Sequence, residues 1–149
     1  MTRVCLVGAA DVDLKYELLS RETARAALST YDLSEPFANS LALDTVSVGA
    51  AVSLLNDLNW YLVRYVDTAL VREPSIDGDE WLSRTLATAI REGEVDAAET
   101  GNLLKVYGVV NDELVEPMFL TRVDGEIPEY DLREVDDTLV VRVTEEEFR

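Results

Sequence analysis

The most distinctive group of chemically capable side chains lies in the run WYLVRYV at residues 60–66. If this run is a strand, Arg64 shares a face with Trp60 and Leu62, because side chains alternate along a strand. A guanidinium beside aromatic rings can bind an anion, stack on a ring, or pair across a subunit interface. Because aromatic residues and Arg are enriched at protein interfaces, Trp60, Leu62 and Arg64 form our candidate interaction surface. The structural alternative is an edge position at which Arg64 pairs with a surface acid.

A second candidate follows the first apolar run of the chain. Residues 4–7 predict a buried strand that ends at Gly8, and Asp11 comes three residues later. Ligands of open α/β sheets often bind just beyond the carboxyl ends of strands, so Gly8 and Asp11 form a candidate pocket. The chain has no glycine-rich dinucleotide loop and no P-loop, and a solvated turn is the structural alternative.

Other catalytic and metal-binding chemistry finds little support. The chain contains no His and a single Cys, which removes the usual Ser or Cys triads and argues against a zinc or copper site. Cys5 lies in the first apolar run and is typical of a small core residue. We therefore assign no catalytic residue, no metal ligand and no cofactor. Three acidic groups lack EF-hand spacing and favour capping and hydration: Asp77/Asp79/Glu80, Asp136/Asp137 and Glu145/Glu146/Glu147.

The charge of the chain is its strongest global constraint. Asp plus Glu number 30 and Lys plus Arg number 13 in 149 residues, so the net charge is −17. This self-repulsion opposes folding in dilute buffer, whereas at about 1 M salt the Debye length falls to about 3 Å and screens it. The acids are dispersed, and Lys occurs only at positions 15 and 105. The composition predicts a protein adapted to concentrated salt, with an ordinary acidic mesophilic protein as the alternative.

The same composition limits which binding partners and which cellular compartment we expect. Without a basic stripe, the phosphate attraction that dominates nucleic-acid binding would be a repulsion, so we expect no nucleic-acid partner. The start of the chain is too short in its apolar part for a signal peptide, and no apolar stretch reaches the length of a membrane span. We expect a cytoplasmic protein with no membrane contact.

The pattern of apolar residues predicts both helices and strands. Ser47 caps a predicted helix whose apolar residues recur at i, i+3, i+4 and i+7. Residues 60–66 fit either a strand or a continuation of that helix. We favour the strand, because the run is rich in β-branched and aromatic residues. Residues 80–92 predict a helix that Asp77 caps. We expect one α+β domain over residues 1–149, with a mixed sheet and helices on at least one face. Further predictions are a helix from a Ser20 cap to residue 28, a strand at 41–46, a hairpin over 103–110 and 114–123 with Pro117 at an edge or bulge, a strand at 138–143, and a last helix capped by Thr144 and Glu147.

Four segments carry a resemblance to a known family. RVCLVG (3–8), YELLSRETAR (16–25), DTVSVGAAVSLLNDLNWYLVRYV (44–66) and EYDLREVDDTLVVRVTEEEF (129–148) resemble an uncharacterised protein family of halophilic archaea. The resemblance spans nearly the whole chain and agrees with the salt adaptation inferred from charge. It implies no activity and no catalytic residues.

The residues favour a non-enzymatic interaction or accessory domain, with a protein partner or self-association. The alternative is a small enzyme or ligand-binding domain that uses carboxylate, Arg and Tyr groups at the end of the sheet. A flat aromatic patch would favour the first function and a deep cleft with convergent polar groups the second.

The net charge of −17 generates the first testable prediction. Because folding must overcome self-repulsion, we expect the Tm to rise steeply from dilute buffer to molar potassium chloride. Thermal unfolding followed by circular dichroism measures this dependence. A Tm that stays constant from dilute buffer to molar potassium chloride would contradict the hypothesis of salt adaptation.

Overall fold

A seven-stranded mixed sheet organises the chain. The computed structural model describes residues 1–128 and 135–148. The sheet order is β2-β1-β3-β4-β7-β5-β6, and every neighbouring pair is antiparallel except β4 and β7. The strands are β1 (Thr2–Gly8), β2 (Ser40–Thr45), β3 (Val66–Arg72), β4 (Trp81–Ser83), β5 (Leu103–Val110), β6 (Glu113–Thr121) and β7 (Asp137–Arg142). The helices are α1 (Leu14–Leu19), α2 (Glu22–Leu28), α3 (Val48–Asp57), α4 (Asn59–Tyr65), α5 (Arg84–Arg91) and α6 (Glu145–Phe148), with a 3-10 turn at Ala97–Glu99.

The alternation of side chains along the central strands creates two cores. On β1, Val4 and Leu6 pack with the helices, whereas Cys5 faces the opposite side of the sheet. On β4, Leu82 joins the helix-side core and Trp81 the opposite one. The helix-side core takes buried residues from α1 to α5. The opposite core consists of Cys5, Ala42, Leu70, Trp81, Tyr107, Val109, Leu139, Val141 and Val143.

The sheet curls to enclose this second core. The turn between β5 and β6 reaches the loop before β2, where the Ala38 N–H donates to the Asp112 carbonyl oxygen at 2.7 Å. Asn111 and Asp112 both have positive φ, as a tight turn matched to strand twist requires. The two edges of the sheet are thereby brought together across the face opposite helices α1 to α5. The α+β fold, the mixed sheet and the helices on at least one face are confirmed.

The predicted strand at residues 60–66 is wrong, because α4 occupies this run and β3 begins only at Val66. The Leu58 carbonyl oxygen accepts from the Leu62 N–H at 3.0 Å, which carries the helical pattern past α3. Leu55, Leu58 and Leu62 form one continuous buried stripe. The burial of this stripe against the core outweighs the β preference of the aromatic and β-branched residues.

The predicted helix over 80–92 is wrong in its first residues. Residues 81–83 form β4, and α5 starts at Arg84, where the Ser83 hydroxyl accepts from the Leu86 N–H at 3.1 Å. Asp77 accepts from the N–H groups of Asp79 and Glu80 and so closes a turn rather than capping a helix. Residues 81–83 pair with β3 on one side and with β7 on the other. The hydrogen bonds of these two pairings outweigh the helical periodicity of the run.

The remaining local signals have mixed outcomes. Ser20 caps no helix start, since it follows the end of α1, and α2 has no side-chain cap. The Ser47 cap is confirmed, since its hydroxyl accepts from the Ala50 N–H at 3.0 Å. The Thr144–Glu147 cap is also confirmed: the Thr144 N–H donates to the Glu147 carboxylate at 2.9 Å, and the Glu147 N–H donates to the Thr144 hydroxyl at 3.2 Å. Pro117 lies both on the edge strand β6 and at a bulge.

The packing of α5 generates the second prediction. Leu86 is 3% exposed in the helix-side core, so Leu86→Ala should lower the free energy of unfolding by about 2–5 kcal/mol through lost burial and the cavity left behind. Chemical denaturation in molar salt measures this change. Thr85→Ala on the exposed side of the same helix is the matched control and should be nearly neutral. Equal effects of the two substitutions would contradict the packing described.

Candidate functional site

The exposed face of α4 brings a cation and aromatic rings together. Trp60 is 50% exposed and Val63 is 71% exposed. The Arg64 guanidinium carbon lies 3.8 Å from the centre of the Trp60 ring, and Arg64 Nη1 donates to the Trp60 carbonyl oxygen at 2.7 Å. Trp60 and Arg64 meet because residues four apart are neighbours on a helix. We call Trp60, Val63 and Arg64 the α4 surface.

Arg21, the residue that immediately precedes helix α2, supports this face. Its guanidinium lies 6.0 Å from the Trp60 ring centre and 5.2 Å from the Tyr65 ring centre. Arg21 Nη2 also donates to the Tyr65 hydroxyl at 2.7 Å and to the Glu17 carboxylate at 2.8 Å. The Trp60 and Tyr61 rings pack edge to face with centroids 5.1 Å apart. The Trp60 ring is therefore held in place by two guanidinium groups and a second ring.

Leu62 does not belong to this surface. It is 4% exposed and packs in the helix-side core, so the helix separates it from Trp60 and Arg64, with which a strand would have aligned it. Val63 takes its place beside the Trp60–Arg64 pair. Sequence reasoning missed Val63 because a strand would have pointed it to the opposite face, and it missed Arg21 because no local pattern connects residues 21 and 60.

The second candidate, Gly8 with Asp11, is only partly brought together. Gly8 lines a cleft of about 460 Å³ at one end of the sheet, and Asp11 does not. Gly8 donates its N–H to the Asn39 carbonyl oxygen at 2.8 Å, and a Cβ atom at this position would lie 2.5 Å from Asn39 Nδ2. A side chain at position 8 would displace the Asn39 amide, which accepts from the Leu14 N–H at 2.9 Å and donates to the Ala9 carbonyl oxygen at 3.3 Å. Asp11 has a φ of 67° and lies in the turn that follows β1.

Asp77 and Glu80, from the first acidic group singled out in the sequence, pair with arginines. The Glu80 carboxylate receives Arg122 Nη2 at 2.7 Å and Arg142 Nε at 2.8 Å, which ties the start of β4 to the far end of the sheet. The backbone N–H of Glu80 lowers the pKa of Asp77, which also pairs with Arg142 at 3.3 Å. Within residues 1–128 and 135–148, no three Cys, Asp or Glu side chains are grouped to hold a metal ion.

Comparison with known families identifies the chain. The profile of a family of unknown function, DUF5804, matches residues 2–109. The chain belongs to this family. The match covers both the α4 surface and Gly8, and it ends within β5 before the cleft-lining part of β6. No curated protein and no solved structure matches the chain. In the part that the structure describes, none of the helices has the length and apolar character to cross a membrane.

Cys5 generates the third prediction. Its side chain is fully buried, and burial raises the pKa of the thiol to about 12, with the charges of Arg3 and Arg72 offsetting only part of the rise. Because the thiolate is the reactive form, we expect the folded protein to resist thiol reagents at pH 8 and the unfolded protein to react at once. A colorimetric thiol assay with and without denaturant compares the two states. Rapid labelling of the folded protein would show that Cys5 is reactive.

Proposed function

We propose that this protein is a non-enzymatic interaction domain whose α4 surface binds a second copy of the same chain. The observation that carries the proposal is the half-exposed Trp60 ring, held under the Arg64 guanidinium at 3.8 Å beside the exposed Val63. A second candidate function, ligand binding, is favoured by the cleft at Gly8.

The α4 surface has the composition of an interface centre. Trp and Arg are the residue types that most often dominate binding energy, and they do so when a partner excludes water from them. The stacking on Arg64 and the contact with Tyr61 fix the Trp60 ring before any partner arrives. Less side-chain entropy is therefore lost on binding than for a free Trp side chain.

Charge complementarity favours a second copy as the partner. Arg3, Arg21, Arg122 and Arg142 all form ion pairs with carboxylates, whereas Arg64 has no carboxylate partner within the described residues. Each copy carries 30 acidic residues, so an identical chain offers the carboxylates that Arg64 lacks. In molar salt the repulsion between two copies of net charge −17 is screened, while apolar contacts persist.

We also propose that the protein works in the salt-rich cytoplasm of a halophilic archaeon. The support is the net charge of −17 and the near absence of Lys. In such a medium, association through an aromatic face is less sensitive to salt than association through surface ion pairs, because exposed charges are screened and apolar burial is strengthened.

Self-association is the fourth prediction. In 2 M potassium chloride, we expect multi-angle light scattering to show a concentration-dependent dimer. Trp60→Ala should raise the dimer Kd by about thirtyfold, which corresponds to a loss of about 2 kcal/mol. Val63→Glu and Arg64→Glu should weaken the dimer in the same direction, because each places a carboxylate in the contact.

Arg91→Glu is the matched control, since it makes the same charge change at the exposed end of α5. It should leave the dimer unchanged. A protein that stays monomeric at every concentration would overturn self-association, as would a dimer that none of the three α4 substitutions weakens. Acrylamide quenching supplies a second measurement, because Trp81 is 5% exposed and Trp60 therefore dominates the quenchable fluorescence.

A further inference from the structure

The cleft at Gly8 is built from four separated parts of the chain. The end of β1, the loop before β2, the start of β3 and the hairpin of β5 and β6 meet around a space of about 460 Å³, a size typical of small-molecule sites. Backbone hydrogen bonds join these parts: the Ala9 N–H donates to the Tyr65 carbonyl oxygen at 2.9 Å, and the Ala38 N–H donates to the Asp112 carbonyl oxygen at 2.7 Å. We call this space the sheet-end cleft.

Two β-bulges lie at the sheet-end cleft. On β3, Val66 pairs with Gly8 and Thr68 pairs with Val7, so Asp67 is the extra residue. On β6, Val115 pairs with Gly108 and Met118 with Val106, so Glu116 and Pro117 together oppose Tyr107 alone. A bulge re-aims side chains out of the regular alternation and is common beside binding sites. All four of these residues, Asp67, Tyr107, Glu116 and Pro117, line the cleft.

Tyr107 contributes a neutral polar group to the cleft. Its side chain is 7% exposed, yet its hydroxyl has no hydrogen bond to any other described residue. The hydroxyl is not sealed in the protein interior, since among the described residues only Arg21 Nε is a buried side-chain polar atom without a hydrogen-bond partner. Lys105 lies beside the same ring, with Nζ 5.0 Å from the ring centre, so the ring already accepts a cation. The hydroxyl of Tyr107 is thus available to a ligand in the cleft.

The charge of the lining selects the class of ligand. Asp67, Glu113 and Glu116 line the cleft, and none of its lining residues is Lys or Arg. The rest of the lining includes apolar side chains, among them Val7, Leu114 and Pro117. A hard metal ion needs several oxygen ligands around one point, and no three acidic side chains of the described residues are grouped in that way. A positively charged group attached to an apolar body matches both the carboxylates and the apolar walls.

We propose that the sheet-end cleft binds a small organic cation, a protonated amine with a short apolar body. The ammonium group donates hydrogen bonds to the Asp67 and Glu116 carboxylates and to the Tyr107 hydroxyl oxygen, while the carbon chain contacts Val7 and Pro117. This site lies apart from the α4 surface and requires no self-association, so either proposal stands if the other fails.

The experiment titrates n-butylammonium chloride into the protein at constant ionic strength in 2 M potassium chloride. Two-dimensional ¹H–¹⁵N NMR should show shifts that concentrate at Gly8, Asp67, Tyr107 and Glu116. Neutral 1-butanol, of nearly the same size, should bind at least about tenfold more weakly, because it lacks the charge that the carboxylates recognise. Equal shifts from the amine and the alcohol, or shifts spread evenly over the surface, would overturn the proposal.

Two substitutions test the roles of the named groups, and a third serves as their control. Asp67→Asn should raise the Kd of n-butylammonium about tenfold, and Tyr107→Phe, which removes only the hydroxyl, about fivefold. Asp57→Asn, at an exposed carboxylate at the end of α3, is the matched control and should leave the Kd unchanged. The spectrum of each variant reports whether it is folded. Unchanged binding by folded Asp67→Asn and Tyr107→Phe, or saturation of the same residues by magnesium chloride in place of the amine, would overturn the assignment.

Discussion

Both faces of the central strands β1, β3 and β4 carry apolar side chains, and the rest of the fold depends on covering them. Helices α1 to α5 cover one face through a conventional layer in which Leu14, Leu55 and Leu86 are buried. No helical layer of this size covers the other face, and the sheet instead curls so that β5 and β7 supply Tyr107, Leu139 and Val141 to the second core. The curl brings the β5–β6 turn to the loop before β2 and leaves an open end, which is the sheet-end cleft.

The distribution of the few cations follows from the same architecture. Arg122 and Arg142 converge on Glu80 with side chains less than one-fifth exposed, and there they fasten the short strand β4 to the outer strands. A carboxylate in such a place is tolerable only with these partners, because an unpaired buried charge is costly. Arg64 contacts a ring and a carbonyl group and has no carboxylate partner among the described residues, and Arg72 likewise lies over a ring, that of Trp81. A chain with 13 basic residues against 30 acidic ones keeps Arg64 at its most aromatic surface.

Sequence reasoning succeeded where a local signal and a tertiary requirement agree. The first strand, the Ser47 cap and the position of Pro117 could be predicted because each rests on a few adjacent residues. It failed at residues 60–66 and 80–83. In both runs, the tertiary contacts of the segment outweigh the secondary structure that its residue types and periodicity favour. Gly8 was found because a glycine after an apolar strand is a local pattern. The bulge at Asp67 could not be found, since it depends on the register between distant strands, whereas the bulge on β6 was signalled by Pro117.

A short rigid connection links the α4 surface to the sheet-end cleft. Tyr65 ends α4, where its hydroxyl accepts from Arg21 and its carbonyl oxygen accepts from Ala9. The next residue, Val66, pairs with Gly8, and the bulged Asp67 follows it directly. A substitution at Tyr65 or Val66 therefore disturbs both places at once and cannot assign a function to either. Arg64 and Asp67 lie on opposite sides of this connection and are both solvent-exposed. Because their side chains lie outside the two cores, changes at Arg64 and Asp67 separate association from ligand binding while leaving the packing intact.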